Sequence, residues 1–369
     1  MLTKISRVDL AMEFEHKNPA RLGFRMPAEW EAHEGTWLTW PSNPITWPQD
    51  IKQVQQSYLQ AIRELSLGEK VFLIVNHLWE EKSLKATFHM NGTRFENIYI
   101  FRIPNVDVWI RDYGPNFIKH PSGEVAFNRW FFNAWGNKYE DLKLDNSIPD
   151  AIEKMVHFKK YVPDFVLEGG SIEVNGEGVC LTTEQCLLHP NRNPRFSKYQ
   201  IDRMLQNYLG VSKVIWLKEG IEGDDTDGHI DDIARFVNPR TILCAYEEDE
   251  SDPNYHILSE NYLQLLKEKD VRGSQFKVVK LPMPGYVIHE ETRLPASYAN
   301  FYIGNSCVLV PTFRHHNDAK ALSVIKEFFP NRRVVGIDCR VWVRGLGTLH
   351  CSTQQQPMSQ NIPLRSSAA

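Results

Sequence analysis

Two stretches of the chain carry the residues best suited to chemistry. The first reads GDDTDGHIDD at 223–232, where His229 lies among five aspartates. The second reads GLGTLHCSTQQQP at 345–357, where Cys351 follows a glycine-rich turn. A thiolate attacks carbon, an imidazole transfers a proton, and carboxylates bind a cation. Together these side chains predict nucleophilic catalysis on a positively charged substrate.

Cys351 is the predicted nucleophile. Gly345 and Gly347 allow a tight turn that exposes the thiol, and the polar residues 353–356 are unlike a core strand. The remaining cysteines show no CxxC spacing, so we expect reduced thiols packed in the core rather than disulfides. They are Cys180, Cys186, Cys244, Cys307 and Cys339.

His229 and Asp231 are predicted to lie on one face of an extended segment, because side chains alternate along a strand. The apolar continuation at 233–237 indicates that this segment runs into a buried strand. Acids in such a place are costly unless they bind a cation, which could be a metal ion or an organic group.

A metal site can be tested on spacing. An EF-hand would need an acid at 223 and a glutamate at 234, where the sequence has Gly223 and Ala234. No HExxH motif occurs either. We therefore expect no metal and no other cofactor, and a metal-dependent hydrolase is the less favoured alternative.

Two further stretches each place an acid beside aromatic or glycine residues. DVWIRDYGPNF contains Trp109 and Asp112, and FVLEGGSIEVNG places Glu168 before two glycines. Each pattern alone is also typical of a core tryptophan with a surface acid, or of a strand-to-turn junction. Neither stretch identifies a site without the other residues.

Composition excludes several classes of protein. The 369 residues carry 42 basic and 46 acidic side chains, a net charge of −4, and no basic run stands out, so we expect no nucleic-acid binding. No apolar stretch approaches the ~18 residues of a membrane span. Residues 1–17 have acids within their apolar part, unlike a secretory signal. We predict a cytosolic protein that does not bind membranes.

Five helix-then-strand units can be recognised from apolar periodicity. The predicted helices are 50–66, 150–157, 197–209, 253–267 and 319–329, the last capped by Asp318. The predicted strands begin at 70, around Val166, and at 213, 276 and 333. Because no flexible linker divides the chain, we predict one α/β domain, 1–369, with mobile ends at about 1–20 and 364–369.

Taken together, these motifs resemble the guanidino-group-modifying enzymes, most closely the agmatine deiminase branch, which also contains bacterial proteins named peptidylarginine deiminases. The resemblance covers most of the chain. Its blocks lie at 25–43, 108–117, 168–178, 181–194, 223–237, 294–305 and 349–357. It implies a pentein-type fold, a five-bladed pseudo-symmetric α/β propeller of ββαβ units around a central site.

The resemblance also carries catalytic roles onto matching positions. Cys351 matches the nucleophile that forms a covalent amidino-cysteine intermediate, and His229 matches the general acid and base. Asp112 and Asp231 match the two carboxylates that bind the guanidinium nitrogens. These carboxylates would hold the guanidinium planar and charged, with its carbon oriented toward the thiolate.

Three more positions match substrate-binding residues. Asp225 matches a further acid, Glu168 matches the acid that supports the histidine, and Trp109 lines the guanidinium slot. One departure is the run 345–349, which reads GLGTL where many relatives carry three glycines before His-Cys. This departure bears on substrate choice more than on chemistry.

The activity implied is hydrolysis of agmatine to N-carbamoylputrescine and ammonia without a cofactor. Two alternatives stay open. One is deimination of arginine, free or in peptides, for which we expect a cationic side chain that reads a carboxylate, and the sequence does not identify one. The other is a non-catalytic polyamine-binding or guanidine-binding protein on the same fold. The resemblance leaves room for a homo-oligomer, which no residue indicates.

Overall fold

Strands and helices alternate through the computed structural model, which describes residues 18–90 and 93–360. Residues 1–17 and 364–369 of the predicted mobile ends lie outside these ranges. The strands are β1 (His33–Thr39), β2 (Lys70–Val75), β3 (Ile98–Arg102), β4 (Asn116–Lys119), β5 (Val125–Asn128), β6 (Lys159–Tyr161), β7 (Glu173–Val174), β8 (Val179–Thr183), β9 (Lys213–Leu217), β10 (Ala234–Asn238), β11 (Thr241–Tyr246), β12 (Lys277–Pro282), β13 (Ile288–His289), β14 (Thr292–Arg293), β15 (Tyr302–Ile303), β16 (Cys307–Thr312), β17 (Arg333–Asp338) and β18 (Gln354–Pro357). The helices are α1 (Ile51–Ser66), α2 (Leu78–Met90), α3 (Ile110–Tyr113), α4 (Ala134–Asn137), α5 (Ile148–Val156), α6 (Glu184–Leu187), α7 (Lys198–Leu209), α8 (Asn254–Leu265) and α9 (Asn317–Phe328).

One strand order recurs in four three-stranded sheets. Each begins with an antiparallel pair, continues through a helix, and ends with a third strand parallel to the second. The sheets are β4-β5-β6, β7-β8-β9, β10-β11-β12 and β15-β16-β17, with α5, α7, α8 and α9 as their connecting helices. A helix is the usual connection between parallel neighbours, because the chain must return to the same end of the sheet.

A fifth sheet joins the two ends of the described chain. β18 pairs antiparallel with β1, so that Trp37 lies opposite Gln354, and β2 and β3 follow in parallel. β18, β1, α1 and β2 therefore repeat the order of the other sheets, with the first strand supplied from the far end of the sequence. Residues 354–356, which were expected to be too polar for a core strand, therefore lie in a buried strand. Their side-chain amides have hydrogen-bond partners within the protein, because Gln356 accepts from the Trp37 indole at 2.9 Å and Gln355 accepts from the Arg111 guanidinium at 2.7 Å.

The long helices form where the sequence predicts them. α1 buries Val54, Tyr58, Ile62 and Leu65 along one face, the spacing that an amphipathic helix requires. α7 starts at a capping box in which Ser197 and Gln200 bond each other's backbone, and it ends at Gly210 with φ +67°.

Two details of the second and fifth units differ from the prediction. The strand after α5 is β6, and Val166 makes only a single bridge to Phe131. The helix stops at His157, which has φ +53°, and the strand follows at once as KKY, whose polar residues gave no strand signal. Asp318 lies in the first turn of α9 rather than before it. Its carboxylate instead accepts from the Phe313 backbone N–H.

Buried apolar side chains from these five sheets form the core in three clusters, to which the small hairpin β13-β14 contributes none. The largest cluster contains residues of β1, β2 and β3, of α1, and of β15 and β16, so it joins the first unit to the fifth. Within 18–90 and 93–360, no helix is both long enough and apolar enough to cross a bilayer.

Candidate active site

Five turns that precede the first strands of the five units come together in space. Asp112 lies in α3 before β4, Gly170 lies in a 3₁₀ turn before β7, and Asp231 lies in another before β10. Asn300 precedes β15 and Cys351 precedes β18. Each unit of the fold therefore contributes one turn to a shared site.

Gly170 marks the point where the ionisable side chains meet. A Cβ added to Gly170 would lie 2.6 Å from Nδ1 of His229, 3.0 Å from Oδ1 of Asp112 and 3.1 Å from Oδ2 of Asp231. His229 and Asp231 do not share an extended segment as predicted, because Ile230–Asp232 is a 3₁₀ turn that His229 immediately precedes. The turn still directs both side chains toward Gly170.

Cys351 is buried beside this cluster rather than exposed by its turn as predicted, because the surrounding turns and Trp109 cover it. Its Sγ lies 3.0 Å from Nδ2 of Asn300 and 3.6 Å from Oδ2 of Asp231. Burial raises the pKa of the Cys351 thiol well above its usual value, and the nearby carboxylates of Asp231, Asp232 and Asp112 raise it further. With its carboxylates uncompensated, the site therefore favours the protonated thiol.

His229 is fully buried, and neither ring nitrogen has a hydrogen-bond partner in the described part of the chain. Nδ1 lies 3.8 Å from Oδ1 of Asp112. Burial acts to lower the pKa of His229, but Asp112, Cys186 and Asp231 outweigh it and hold the pKa well above its ordinary value. The imidazole is therefore protonated and poised to donate.

Asp112 is held by donors on both oxygens. Oδ1 accepts from the Gly170 backbone N–H at 2.9 Å, and Oδ2 accepts from the Trp135 indole at 2.9 Å. Burial raises the pKa of Asp112 to about 6, against the lowering effect of His229. A cation placed against this carboxylate would relieve the cost of its burial.

The two carboxylate oxygens of Asp231 differ in their partners, and Oδ2 is the one that lies near Cys351. Oδ2 accepts from Nδ1 of His350 at 2.7 Å, while Oδ1 is buried with no partner among the described residues. Burial acts to raise the pKa of Asp231, but His350 and His229 hold it below its usual value. An unpartnered buried carboxylate oxygen is costly, which indicates a place for a donor supplied by a ligand.

A cavity of about 510 Å³ lies beside this cluster. Trp109 and Trp135 line it, and Trp135 also bonds Asp112. A Cβ on Gly347 would lie 2.6 Å from the Trp109 ring and 3.1 Å from Cβ of Cys351, so only glycine fits between them. The cavity therefore ends at the tryptophans that cover the thiol and the acids.

A family model agrees with this geometry. The Porphyromonas-type peptidyl-arginine deiminase family matches residues 25–357, which is most of the chain. The chain belongs to that family. The resemblance inferred from the sequence motifs is thereby confirmed.

Individual members of the family, and their structures, match over nearly the whole chain. A Legionella pneumophila (strain Paris) protein, provisionally named agmatine deiminase, is 38% identical over 93% of this chain and 98% of its own. The structure of the Enterococcus faecalis agmatine deiminase superposes with a TM-score of 0.86 at 35% identity, covering 92% and 98% of the two chains. A substrate-bound variant of the C. jejuni agmatine deiminase gives 0.83 at 34% identity, over 92% and 97%.

In this family member, the three predicted substrate-binding residues occupy different depths. Trp109 lies in the cavity wall next to Cys351, and Asp225 lines the cavity as well. Asp225 is partly exposed and accepts from the Tyr139 hydroxyl at 2.5 Å. Glu168 is buried, and its Oε1 accepts from Nε of Arg192 at 2.7 Å rather than from His229.

Two other aspartates of the 223–232 stretch, Asp224 and Asp227, serve the loop instead of the cluster. Asp224 accepts from the backbone N–H groups of Gly228 and His229, and it thereby sets the approach to the turn. Asp227 pairs with Arg192 and Lys138, which lowers its pKa to about 2 despite partial burial.

A buried ionic network beneath the cluster escaped the sequence analysis. Glu29 accepts from His350 Nε2 at 2.9 Å and from Arg235 Nη2 at 2.9 Å, and it lies 3.3 Å from Arg111 Nη2. Burial acts to raise the pKa of Glu29, but Arg235, His350 and Arg111 hold it well below its usual range. The available signal was Arg235, a charge inside the apolar run 233–237.

Among the described residues, one group could hold a metal ion. Glu168, Cys186 and His229 are all buried, and their ligand atoms lie within 4.8 Å of one another. This group includes the imidazole of the cluster but not Cys351.

Proposed function

We propose that this chain is an agmatine deiminase, which hydrolyses agmatine to N-carbamoylputrescine and ammonia. The observation that carries the proposal is the meeting of Cys351, His229, Asp112 and Asp231 at one buried point next to the cavity. Three of the relatives that match over nearly the full chain carry this name, one of them with its substrate bound.

The guanidinium lies between Asp112 and Asp231 in this proposal. A guanidinium offers several N–H donors in a plane, which suits carboxylates that converge from two turns. Oδ1 of Asp231 has no partner among the described residues, so it is free to accept from one of those donors. The substrate charge also offsets the carboxylates that raise the pKa of Cys351, so binding favours the thiolate.

The reaction then follows in two halves. The Cys351 thiolate forms a bond to the guanidinium carbon, and His229 gives its proton to the amino group that departs as ammonia. The product of this half is an S-alkylthiouronium on the cysteine. His229 next takes one proton from water, whose oxygen bonds to the same carbon. The C–S bond then breaks to return the thiolate, the remaining hydroxyl proton passes to solvent as the C=O forms, and N-carbamoylputrescine is released.

The rest of the substrate extends along the cavity. Trp109 and Leu346 provide apolar walls for the methylene chain, and Asp225 provides a negative charge for the far amine. Leu346 adopts φ +69°, a left-handed conformation that is unfavourable for a side chain with a Cβ. The altered run at 345–349 thus changes the wall of the cavity rather than the reacting groups.

The repeated strand order supports a finer description of the fold. Five sheets share the antiparallel-then-parallel order, which is the pattern expected of five ββαβ units in a pentein-type propeller. The site takes side chains from turns between Asp112 and Cys351, which supports a single catalytic domain. Location in the cytosol and self-association stay predictions.

A second candidate is deimination of arginine, and one observation favours it. Lys138 and Arg344 line the cavity, so a cation that could read a carboxylate is present after all. Both are already paired, because Arg344 contacts Asp50 and Lys138 contacts Asp225 and Asp227. This pairing favours agmatine, which has no carboxylate to bind.

The deciding experiment measures ammonia release from agmatine, arginine and benzoyl-arginine amide side by side. Turnover of agmatine alone, lost in Cys351→Ala, is the expected result. Turnover of only the arginine compounds would keep the chemistry and reject the substrate. Agmatine turnover that survives in Cys351→Ala would reject the mechanism, and tight agmatine binding with an unreactive Cys351 would favour a binding protein.

A further inference from the structure

We propose that Glu168, Cys186 and His229 form a buried site for a zinc ion, and that occupying it stops turnover by removing His229 from proton transfer. The ion is an inhibitor and not a cofactor of the reaction. The inhibitory part rests on the proposed deiminase function, whereas the binding part does not.

The ligand types define the metal. A thiol, an imidazole and a carboxylate together form a mixed S, N, O set, which suits zinc and not the oxygen-binding calcium or magnesium. Their ligand atoms lie within 4.8 Å of one another. A tetrahedral zinc site brings its ligands to roughly 3.3–3.8 Å apart, so the side chains need to close by about 1 Å.

Unpartnered polar atoms provide the second reason. Oε2 of Glu168 and both ring nitrogens of His229 are buried and have no hydrogen-bond partner among the described residues. Such groups usually have a partner that the protein or a ligand supplies. The proposed substrate contacts explain the histidine, but they leave Oε2 of Glu168 without a donor.

The surrounding structure fixes two of the ligands in place. The Thr183 hydroxyl donates to the backbone oxygen of Gly228, next to His229, at 2.6 Å, and it accepts from the Cys186 backbone N–H at 3.2 Å. Cys186 and His229 are therefore tied to each other through one side chain. A site with positioned ligands loses little conformational entropy when a metal binds.

Charges around the site nearly balance. Arg192 bonds Oε1 of Glu168 at 2.7 Å, which opposes a cation but holds the carboxylate in place and leaves Oε2 without a partner among the described residues. Asp112 lies 3.8 Å from His229 and Asp231 lies on the same side, and both favour a cation. Hydrogen-bonded supporting groups of this kind are typical of carboxylate ligands to metals.

The binding test uses the full chain with Cys351→Ser, so that the nucleophile cannot serve as a ligand. Metal-stripped protein is titrated with Co²⁺, whose thiolate charge-transfer absorption reports a cobalt–sulfur bond, and Zn²⁺ is added to displace it. We expect one ion per chain. Adding Cys186→Ser should abolish the absorption, whereas Cys180→Ser, a matched buried cysteine outside the group, should retain it.

Further variants keep the result interpretable. Glu168→Gln preserves shape and should weaken affinity by more than about tenfold, since even supporting groups of a metal site contribute that much. Circular dichroism confirms that each variant is folded, and Cys186→Ala replaces Cys186→Ser if the latter is not. Absence of cobalt or zinc binding, or binding that is unchanged without Cys186, would overturn the proposal.

The turnover test compares each protein with its own zinc-free rate. Zinc should inhibit the native chain reversibly, with activity restored by a chelator, and Cys186→Ser should resist inhibition. Equal inhibition of both proteins would place the zinc on Cys351 and overturn the inhibitory part. If the zinc-free native chain does not turn over agmatine, the proposed function fails, while the cobalt titration still decides the site.

Discussion

At the residue scale, the raised pKa of Cys351 opposes the proposed reaction until a cation arrives, whereas the raised pKa of His229 suits its role as a proton donor. Burial and neighbouring carboxylates keep Cys351 protonated, and Asp112 keeps His229 protonated although burial acts against it. A bound guanidinium cancels part of the negative field and lowers the thiol pKa. In the proposed mechanism, the charge of the substrate is thus needed both for binding and for activation of Cys351.

Alkylation of Cys351 should therefore depend on the charge of the reagent. Chloroacetamidine, a cation, should inactivate the protein at least about tenfold faster than neutral iodoacetamide, because one pKa unit of stabilisation is a factor of ten. Rates are normalised to glutathione, which removes the intrinsic difference between reagents, and labelling is located by mass spectrometry. Asp112→Asn is the control, and an unchanged preference in that variant would contradict the role of the carboxylate.

Substrate binding should weaken in acid because of Asp112. Its pKa is raised to about 6 by burial, so the carboxylate is ionised above that pH and neutral below it. A guanidinium needs the ionised form, hence affinity should be constant above neutrality and fall by about tenfold per pH unit below about 6. Calorimetry with Cys351→Ala measures binding without turnover, and affinity that is flat down to pH 5 would reject this assignment.

At the element scale, the site depends on short turns placed just before the first strand of each unit. A turn in that place is fixed on its strand side by a sheet, so its side chains have little freedom. The turn at Gly169–Ser171 is the tightest of them, since Gly170 lies against His229, Asp112 and Asp231.

Gly170→Ala should lower activity on the order of 100-fold while leaving the protein folded. The added Cβ would lie 2.6 Å from the His229 ring, 3.0 Å from the Asp112 carboxylate and 3.1 Å from the Asp231 carboxylate. These side chains would therefore have to move. A displacement of about 1 Å at a reacting group costs on the order of 100-fold in rate. Steady-state kinetics and circular dichroism check both parts.

Gly273→Ala is the matched control for that substitution. Gly273 has φ +83° but no atom within 4 Å of an added Cβ, so it should lower stability slightly and leave kcat unchanged. Full activity in Gly170→Ala would show that the three side chains do not converge as described.

At the scale of the whole molecule, the ends of the described chain meet under the site. β18 pairs with β1, and Glu29, which precedes β1, contacts Arg235 from β10 and His350 from the turn before β18. The ionic network thus ties the first unit to the fourth and to the closing strand. It also holds Asp231 through His350.

Glu29→Gln should destabilise the whole fold. The change leaves Arg235 and His350 buried beside a neutral group, and removing one partner of a buried ion pair costs about 3–5 kcal/mol. Urea unfolding followed by circular dichroism measures the loss. Asp164→Asn, in an exposed pair with Arg195, is the control and should show no measurable shift. If Glu29→Gln lowered the free energy of unfolding no more than Asp164→Asn does, a structural role for the network would be contradicted.

The sequence by itself determined the reacting residue types and most of the helices. Cys351 and His229 stand in motifs whose polarity and glycines do not suit a core, and the periodicity of α1 or the cap of α7 is a local property. Local patterns suffice for these features because capping and amphipathic faces involve residues within a few positions of each other.

Only the tertiary structure decided how those residues meet. The buried polar strand β18 and the link from Glu29 to His350 depend on partners hundreds of positions away. The 3₁₀ turn that orients His229 and Asp231 is held at Asp232 by Ser297, from another unit. A glutamine or a glutamate is read as a surface residue until its buried partner is known. The physical reason is that a polar group can be buried only where a distant segment supplies its hydrogen bonds.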